Sequence, residues 1–576
     1  MPEQRDNNFA KTRSTGTLDA IVVGGGINGI GVFRELALHG LSVLLVERND
    51  FCSGCSAAPS RMIHGGLRYL ENGEFGLVRE SLRERDALLL NAPHMVRPLP
   101  TTIPINSVLS GTLNAVVGFL GGKSRPAQRG VFPVKMGLLL YDWVTRRRRL
   151  TPRHVLRNAA ETARQWPRLT RELLYSATYH DAWISHPERL GVELILDAQR
   201  DAPGAIALNY AEIERDGAAF SVRDRLTDER ISVETRLVIN ASGAWLDETN
   251  SRLAGPELPK EPFVSGTKGS HLIIDNPALF EALNGHMIFY ENSDGRICIV
   301  FPYLGNVLAG STDIRMSEVT RVRCETEERD YILNSLRLVF PEIRVAAADV
   351  VFSFSGIRPL PKSDHDFTGR ISRGHFVERI DGTPPQLCMV GGKWTTFRAF
   401  AEETADAALK ELRRPRTKNT LSLPIGGGAN FPSEPATYIH KIAVEYGVSP
   451  ERAAHLVDTY GTRAESVADF CRSYPGDAPL DDRTCATTGE IAFLIRHEFA
   501  TSLGDLVLRR TALAIAGRVS ARHIARIADT AAAELGWDSG RREREITDFV
   551  SELEAYYGVT PAMLAARSEQ GRSRCG

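Results

Sequence analysis

The sequence has no run of about eighteen strongly apolar residues, so a membrane-spanning helix is not expected. Only 8 cysteines are spread through 576 residues, which excludes a disulfide framework and favours a reducing cytosol. Neither sign of charge is in excess, because 70 basic residues face 71 acidic ones. This balance gives no reason to expect nucleic acid as a partner.

The chain is too long for one hydrophobic core, and its length predicts roughly three to four structural units. A hydrophobic fraction of 43% and a charged fraction of 24% are ordinary for a globular protein. The polar residues 1–16 lack an apolar centre and are predicted to form a disordered tail rather than a signal peptide.

A complete strand, glycine turn, helix and second strand follow this tail. Ile21–Val23 form the first strand, and Gly24, Gly26 and Gly29 have the GxGxxG spacing. The glycines allow a tight turn and the close approach of backbone to a pyrophosphate at a helix N-terminus. The second strand ends at Glu47, placed to accept hydrogen bonds from a ribose. The unit predicts dinucleotide binding, with Asn28 and Arg48 as further contacts.

Three later segments are expected to return to the same ligand. Each combines small residues with a turn, which lets backbone lie against a flat molecule. Their candidate cofactor contacts are Ser56, Ser60, Arg61, His64, Gly65 and Gly66 in the first, Ala241 and Gly243 in the second, and Gly391, Gly392 and Thr395 in the third.

The middle of the chain alternates between strand and helix patterns. Residues 192–240 are predicted to be mostly strand, beginning with Val192–Leu196. Strands at Ser270–Ile274, Arg296–Val300 and Val307–Gly310 suggest a separate antiparallel sheet. Residues 17–414 are therefore expected to form a discontinuous cofactor domain interleaved with a substrate domain.

An uncharged stretch at residues 99–122 has apolar residues at helical spacing, and a second apolar helix, Met136–Val144, runs into Arg146–Arg149. An apolar face beside arginines suits contact with an anionic membrane surface. Apolar stripes at helical spacing usually belong to the core, and two helices packed on the core also explain the pattern, so helices near 103–149 are a membrane-contact hypothesis. Residues 415–436 read as a linker and 437–576 as a helical domain.

Several motifs together resemble the FAD-dependent glycerol-3-phosphate dehydrogenase family. They are GGGINGIG, SRMIHGGLRYLENGEF, TKGSHLII, SGIRPL, GGKWTTFR and EIAFLIRHEFATSLGDLVLRRT, in the family's order over about residues 18–515. The resemblance implies an α/β fold of the amino-acid-oxidase type: a Rossmann-like FAD domain interleaved with an antiparallel substrate domain, followed by a helical domain. It also implies oxidation of sn-glycerol 3-phosphate, with electrons passed to a quinone at the cytoplasmic face of the membrane. A homodimer is left open.

The same resemblance places Arg68, Tyr69, His271, Arg358 and Lys393 around the substrate. The three cations suit a phosphate and a polarised alcohol oxygen. His271 is the expected proton acceptor, because the ordinary pKa of histidine is near neutral.

Four alternatives remain. Cys52 and Cys55 depart from the family pattern, and a CxxC pair beside a flavin suggests a dithiol oxidoreductase. No second glycine motif for a nicotinamide supports it, and no metal site is expected. The segments 103–130 and near residue 180 also depart from the family, which admits a related polyol phosphate such as erythritol phosphate. The last two alternative functions are a catalytically silent flavoprotein scaffold and an amine or amino-acid oxidase.

Overall fold

The structure is a computed structural model that describes residues 3–66, 74–106, 138, 150–217, 219–253, 261–362, 374–481 and 484–569. Its strands fall into a mainly parallel sheet, an antiparallel meander and a large mixed sheet. Strands of the parallel and mixed sheets alternate along the chain. This confirms the predicted fold, a dinucleotide-binding domain interleaved with a substrate domain.

The parallel sheet carries the glycine turn at its centre. Its strands are β1 (Ala20–Val23), β2 (Val43–Val46), β7 (Ala205–Leu208), β11 (Val238–Asn240), β18 (His375–Ile380) and β19 (Gln386–Gly391). They lie in the order β18-β19-β11-β1-β2-β7, and only the pair β18–β19 is antiparallel among the described pairings of this sheet. Strands β1, β2 and β11 are almost completely buried, as their unbroken apolar runs predict.

The other two sheets are mainly antiparallel. The meander contains β8 (Ala211–Asp216), β9 (Ala219–Asp224) and β10 (Arg230–Val233). The mixed sheet contains β3 (Met62–Ile63), β4 (Val96–Ile105), β5 (Val155–Asn158), β6 (Tyr175–Ile184), β12 (Val264–Ile274), β13 (Met287–Glu291), β14 (Ile297–Tyr303), β15 (Asn306–Gly310), β16 (Ile314–Arg315) and β17 (Val350–Pro361). The long pair β12–β17 brings Arg358 opposite Thr267.

Helices pack against the sheets and form the C-terminal domain, which confirms the helical prediction there. Those up to residue 411 are α1 (Glu3–Ser14), α2 (Ile27–Leu38), α3 (Phe75–Asn91), α4 (Ala159–Gln165), α5 (Pro187–Asp201), α6 (Leu246–Leu253), α7 (Pro277–Leu283), α8 (Thr326–Val339) and α9 (Phe397–Glu411). The C-terminal ones are α10 (Pro435–Tyr446), α11 (Pro450–Tyr460), α12 (Ala464–Ser473), α13 (Thr488–His497), a π-helix (Asp505–Arg510), α14 (Ala521–Leu535), α15 (Ser539–Tyr557) and α16 (Pro561–Glu569). No helix in the described part of the chain is long and apolar enough to cross a membrane.

The N-terminal segment is ordered, so the prediction of a disordered tail at residues 1–16 is wrong for α1. Arg5 is fully buried and pairs with Asp224 of β9 at 2.6 Å. It also donates to the carbonyl oxygen of Asn209, while Phe9 packs into the core. A polar composition hides such a contact, because a single buried ion pair to a distant strand leaves no periodic signal in the sequence.

The strand predicted at Val192–Leu196 is also wrong, because these residues lie within helix α5. Pro187 occupies the first turn of the helix, where its missing N–H costs nothing. The segment is buried nearly throughout, so its apolar run carries no periodicity that separates helix from strand. Gly191 lets the helix pass close to Cys52 and Ile30.

The predicted linker 415–436 is partly exposed, but its segment 425–428 is packed in the interior. Gly426, Gly427 and Gly428 are buried, and a Cβ on Gly427 would overlap the carbonyl oxygen of Tyr460. These glycines let the two domains approach closely, which accounts for a glycine run that has no phosphate-binding role.

The membrane-contact hypothesis falls mostly outside the described residues. Residues 103–105 belong to strand β4 rather than to a helix. Residues 107–137 and 139–149, including Met136 and Arg146–Arg149, lie outside the part of the chain that the structure describes, and Leu138 is buried.

Candidate active site

A cavity of about 1020 Å³ runs along the carboxyl ends of the central parallel strands and into the mixed sheet. Residues of the glycine turn line it, and so does Arg358 of β17. The predicted cofactor residues on its wall are Gly24, Gly26, Asn28, Glu47, Arg48, Ser56, Ser60, His64, Gly66, Ala241, Gly243, Gly392 and Thr395. The structure thus brings the four segments singled out in the sequence to one surface.

The glycine turn has the steric requirements that its spacing predicts. Gly24 has a φ of +109°, and a Cβ there would lie 2.7 Å from the carbonyl oxygen of Ala241. A Cβ on Gly29 would overlap the carbonyl oxygen of Gly24, so Gly29 acts behind the cavity wall as a packing residue. Gly26 begins α2 without a side-chain cap, and the Ile27 N–H donates to Ser56 Oγ at 3.0 Å. Gly26, Ile27 and Asn28 line the cavity, so the helix N-terminus faces it, which is a position suited to an anion.

Glu47 holds the loop after β2 in place. Its carboxylate accepts hydrogen bonds from the backbone N–H groups of Gly25 and Asn49, each at 2.8 Å. Burial raises the pKa of the Glu47 carboxyl, and these two donors oppose the rise. Beside it, the Arg48 guanidinium lies 5.1 Å from the ring centre of Trp245.

Hydrogen bonds connect the returning segments to one another. The Trp394 indole N–H donates to the carbonyl oxygen of Ser56 at 3.0 Å. The backbone N–H of His64 donates to Thr395 Oγ1 at 3.3 Å, and that of Gly65 to Asp181 at 2.8 Å. Gly65 and Gly391 are not among the described residues that line the cavity.

Arg61 does not behave as the sequence predicts. Its guanidinium forms two hydrogen bonds with Glu188, both at 2.8 Å, and its side chain is only 3% exposed. It also donates to the carbonyl oxygen of Ala57. These contacts commit the side chain to the protein interior, and the prediction of Arg61 as a cofactor contact is corrected to a structural ion pair.

Two of the predicted substrate cations reach the cavity. Arg358 donates to Asp313 at 2.8 Å and to Ser311 Oγ at 3.3 Å, and it crosses Gly269, where any side chain would overlap it. Lys393 donates to Ser81 Oγ at 2.8 Å. Arg68 and Tyr69 lie outside the described residues.

His271 lies behind the wall rather than on it. Its side chain is 1% exposed, its ring stacks on Phe354, and its Nε2 is 2.8 Å from Ser60 Oγ. Burial, together with the charges of Arg358 and Arg61, lowers the pKa of His271 to about 3. An imidazole with this pKa stays neutral near pH 7, so burial disfavours His271 as the proton acceptor, and that role stays a prediction.

Comparison with known proteins assigns the chain to a family. Residues 19–406 match the family described as FAD dependent oxidoreductase, and residues 418–542 match the C-terminal domain of alpha-glycerophosphate oxidase. A Synechocystis protein named glycerol-3-phosphate dehydrogenase is 33% identical, over 95% of this chain and 98% of its own. A Pseudomonas aeruginosa protein of the same name is 31% identical, over 86% and 92%.

The chain belongs to the FAD-dependent glycerol-3-phosphate dehydrogenase family. A solved glycerol-3-phosphate dehydrogenase from Bacillus halodurans, complexed with FAD, has the same fold. Its TM-score is 0.74 at 23% identity, over 97% of this chain and 98% of that one. The protein is thus an FAD-dependent oxidoreductase, as the sequence motifs predict.

The cavity residues fit FAD. The uncapped N-terminus of α2 and the space above Gly26 would hold the pyrophosphate. Asn28 faces the cavity, and its buried Oδ1 has no hydrogen-bond partner among the described residues, so a ligand donor would satisfy it. FAD supplies a hydride acceptor when bound, and these residues position it.

The structure adds site residues that sequence reasoning missed. Trp245 and Trp394 each follow one of the small-residue turns at Ala241–Gly243 and Gly391–Gly392, so the turn is the sequence signal for both side chains. Asp50 follows Glu47 by three residues and lines the cavity with Arg509 of the π-helix. Arg509 lies too far along the chain for any local pattern to connect it with the glycine turn.

Of the two cysteines after β2, Cys52 is a free thiol. Cys52 is buried where α5 passes at Gly191, and burial raises its pKa well above that of an ordinary thiol. A thiol held protonated in a packed site cannot supply the thiolate that exchange requires. This geometry favours the interpretation of Cys52 as a small packing residue.

Proposed function

We propose that this protein oxidises sn-glycerol 3-phosphate to dihydroxyacetone phosphate and passes the electrons to a quinone. One observation carries the proposal: a single cavity joins the dinucleotide-binding turn to two cations, Arg358 and Lys393. A carbinol held near the flavin while cations hold a phosphate is what this oxidation requires. The names of the relatives supply the substrate, and the cavity supplies a place for it.

Arg358 is proposed to bind the phosphate. Its planar guanidinium suits bidentate recognition of phosphate oxygens, and Asp313 and Ser311 hold it in a fixed orientation. Lys393, a point charge on the turn after β19, is proposed to polarise the alcohol oxygen. Arg68 and Tyr69 keep the substrate contacts that the family resemblance implies.

The proton acceptor is reassigned from His271 to a group on the cavity wall. We propose His64, which lines the cavity on the segment that Thr395 fixes through its backbone. His271 instead holds Ser60, because its neutral ring stays bonded to Ser60 Oγ. This division leaves one imidazole for proton transfer and one for positioning.

The quinone and a location on the cytoplasmic face of the membrane belong to the proposal. A quinone is held in the lipid bilayer, so an enzyme that uses it must contact the membrane surface. The arginines at 146–149 are the proposed contact with anionic headgroups. Flotation with anionic liposomes tests this contact: salt-sensitive binding supports it, and no binding removes it.

The central experiment is a substrate panel on the purified holoenzyme, with a quinone analogue and oxygen as alternative acceptors. The visible spectrum must first show bound flavin. Reduction by glycerol 3-phosphate with the quinone analogue supports the proposal. If erythritol phosphate is preferred, the substrate is a longer polyol phosphate. If only amino acids reduce the flavin, the proposed substrate class is wrong.

A further inference from the structure

A three-residue turn between β15 and β16, residues 311–313, holds the guanidinium of Arg358. Asp313 accepts from Arg358 at 2.8 Å, and Ser311 Oγ accepts at 3.3 Å. The carbonyl oxygen of Thr312 accepts from both terminal nitrogens of Arg358, each at 3.4 Å. Each residue of the turn thus gives Arg358 an acceptor, so the position of the turn sets the direction of the guanidinium.

The side chain of Thr312 connects this turn to a carboxylate outside the cavity. Its hydroxyl donates to Glu328 Oε1 at 2.7 Å and accepts from the backbone N–H of Ser270 at 2.9 Å. Ser270 Oγ also donates to Glu328 Oε1, at 2.8 Å. Glu328 lies in the first turn of α8 and Ser270 on β12. The turn that orients Arg358 is therefore fixed to a helix and to a strand through one hydroxyl.

Glu328 is itself held firmly. Its Oε2 pairs with Lys268 Nζ and accepts from the backbone N–H of Glu325 at 3.1 Å, and its side chain is only 4% exposed. Burial acts to raise the pKa of Glu328, but the hydrogen bonds that it accepts, that from Lys268 first, outweigh burial and lower the pKa. The carboxylate is thus ionised, and its described partners are all donors. Charge-assisted hydrogen bonds of this kind are the stronger ones, so Glu328 is a rigid anchor.

We propose that Glu328 is a positioning residue for substrate binding, which fixes the 311–313 turn through the Thr312 hydroxyl and thereby aims Arg358 at the substrate phosphate. The inference rests on the proposed function, in which Arg358 binds that phosphate. Glu328 is not among the described residues that line the cavity, so it acts through the turn and not by contact with the substrate. A guanidinium held in its binding orientation loses less conformational freedom when the phosphate binds, so the anchor contributes to affinity.

Thr312→Val is the deciding variant. It removes the connecting hydroxyl and keeps the shape of the side chain, while Glu328 keeps its buried pair with Lys268. We expect KM for glycerol 3-phosphate to rise on the order of 10-fold, with kcat and bound FAD little changed, because a misplaced binding group weakens binding of the substrate. An unchanged KM overturns the proposal.

A double-mutant cycle separates positioning from a general loss of structure. In the Arg358→Ala background the turn has no guanidinium to orient, so Thr312→Val should add nothing to the rise in KM. If Thr312→Val raises KM by the same factor with and without Arg358, the two residues act independently and the proposal is wrong.

Thr162→Val is the matched control. The Thr162 hydroxyl is also buried and bonds Ser176 Oγ at 2.8 Å, and this residue is not among the described residues of the cavity wall. The control should keep the KM of the unaltered protein. A rise in KM equal to that of Thr312→Val would show that loss of any buried hydroxyl has this effect.

Glu328→Gln removes the anchor itself. The amide would place N–H donors among groups that are donors already, so it cannot replace the carboxylate, and KM should rise at least as much as in Thr312→Val. An unchanged KM in this variant contradicts the proposal. The substitution also leaves Lys268 buried without its counter-ion, so Thr312→Val decides the question where Glu328→Gln does not fold.

Binding of inorganic phosphate to the holoenzyme gives a readout that needs no turnover. Calorimetric titration should show a Kd for phosphate on the order of 10-fold higher in Thr312→Val and unchanged in Thr162→Val. Equal affinity of the unaltered protein and Thr312→Val overturns the inference, and so does phosphate binding that Arg358→Ala does not weaken. If glycerol 3-phosphate is not oxidised, the proposed function is wrong, and the phosphate titration still decides whether Glu328 positions Arg358.

Discussion

Asp50 and Arg510 form a buried bidentate ion pair that connects the cofactor loop to the C-terminal domain. The two guanidinium nitrogens lie 2.7 and 2.8 Å from the two carboxylate oxygens, and both side chains are fully buried. Arg509 donates to the same carboxylate at 2.6 Å. Burial acts to raise the pKa of Asp50, but the charges of Arg510 and Arg509 outweigh it and lower the pKa to about 2. The helical domain thus fixes a loop three residues beyond Glu47.

Arg510→Met should therefore weaken both the fold and the retention of FAD. Removing one partner of a buried ion pair costs about 3–5 kcal/mol when the other charge is left unpaired. Because Arg509 still pairs with Asp50, we expect a loss at or below the lower end of this range. Urea unfolding measures the loss of stability, and the fluorescence of released flavin measures retention. Arg510→Lys keeps the charge but loses the bidentate geometry, so it should fold and still release FAD more readily.

Arg13→Met is the control, because Arg13 forms a bidentate contact with Glu229 at the surface. Exposed ion pairs contribute little to stability. Its unfolding midpoint and flavin content should match those of the unaltered protein. Equal effects of the Arg13 and Arg510 substitutions would contradict a specific role for the Asp50 contact.

Gly26→Ala should lower the affinity for FAD without lowering the stability of the fold. A Cβ on Gly26 would meet only Ser56 Oγ, at 3.2 Å, so the protein should fold with near-normal stability. The same methyl group would stand where the pyrophosphate must approach, so FAD affinity should fall. Flavin titration of the apoprotein, with thermal unfolding alongside, measures both properties.

Gly24→Ala is the contrasting variant. Its Cβ would press on the backbone of Ala241 at a φ of +109°, so folding itself should suffer. If Gly26→Ala bound FAD normally, the pyrophosphate would not lie at this turn.

His271 should make the protein acid-sensitive. Its pKa is about 3 in the folded state and near 6.5 when unfolded, so the unfolded chain binds one more proton between these values. Stability therefore rises with pH across this window, by about 1.4 kcal/mol per pH unit for this group, and gains nothing further above pH 6.5. His271→Asn should reduce the slope of unfolding free energy against pH near pH 5 by that amount. Identical slopes would refute a buried neutral His271.

Cys52 and Cys55 should be dispensable for turnover. The Cys52 thiol is free, buried and held protonated. Cys55→Ser should keep full activity, and Cys52→Ala should keep kcat while losing some stability through a small cavity beside Gly191. Turnover with glycerol 3-phosphate and thermal unfolding are the measurements. A large loss of kcat in either variant would restore the dithiol hypothesis.

The sequence predicts those parts of the structure that are determined by a short stretch of neighbouring residues. The glycine turn, the strands beside it and the returning segments at Ala241 and Gly391 each follow from a short pattern with a steric reason. Helix α1 and the Asp50–Arg510 pair do not, because each depends on one contact between distant residues. His271 shows the same limit for chemistry: its residue type suggests a base, but its pKa is set by a burial that only the fold creates.

Arg358→Ala should raise KM for glycerol 3-phosphate while FAD stays bound. The side chain lies on β17, and its hydrogen bonds go to Asp313 and Ser311 rather than to the glycine turn. Losing a charge that holds a phosphate costs about 2–4 kcal/mol, or on the order of 30- to 1000-fold in kcat/KM. Asp313→Asn tests the orientation: it keeps the cation but frees it, so a smaller rise in KM is expected. Steady-state kinetics with flavin quantified in the same samples measures both, and loss of flavin from Arg358→Ala would place this residue at the cofactor instead.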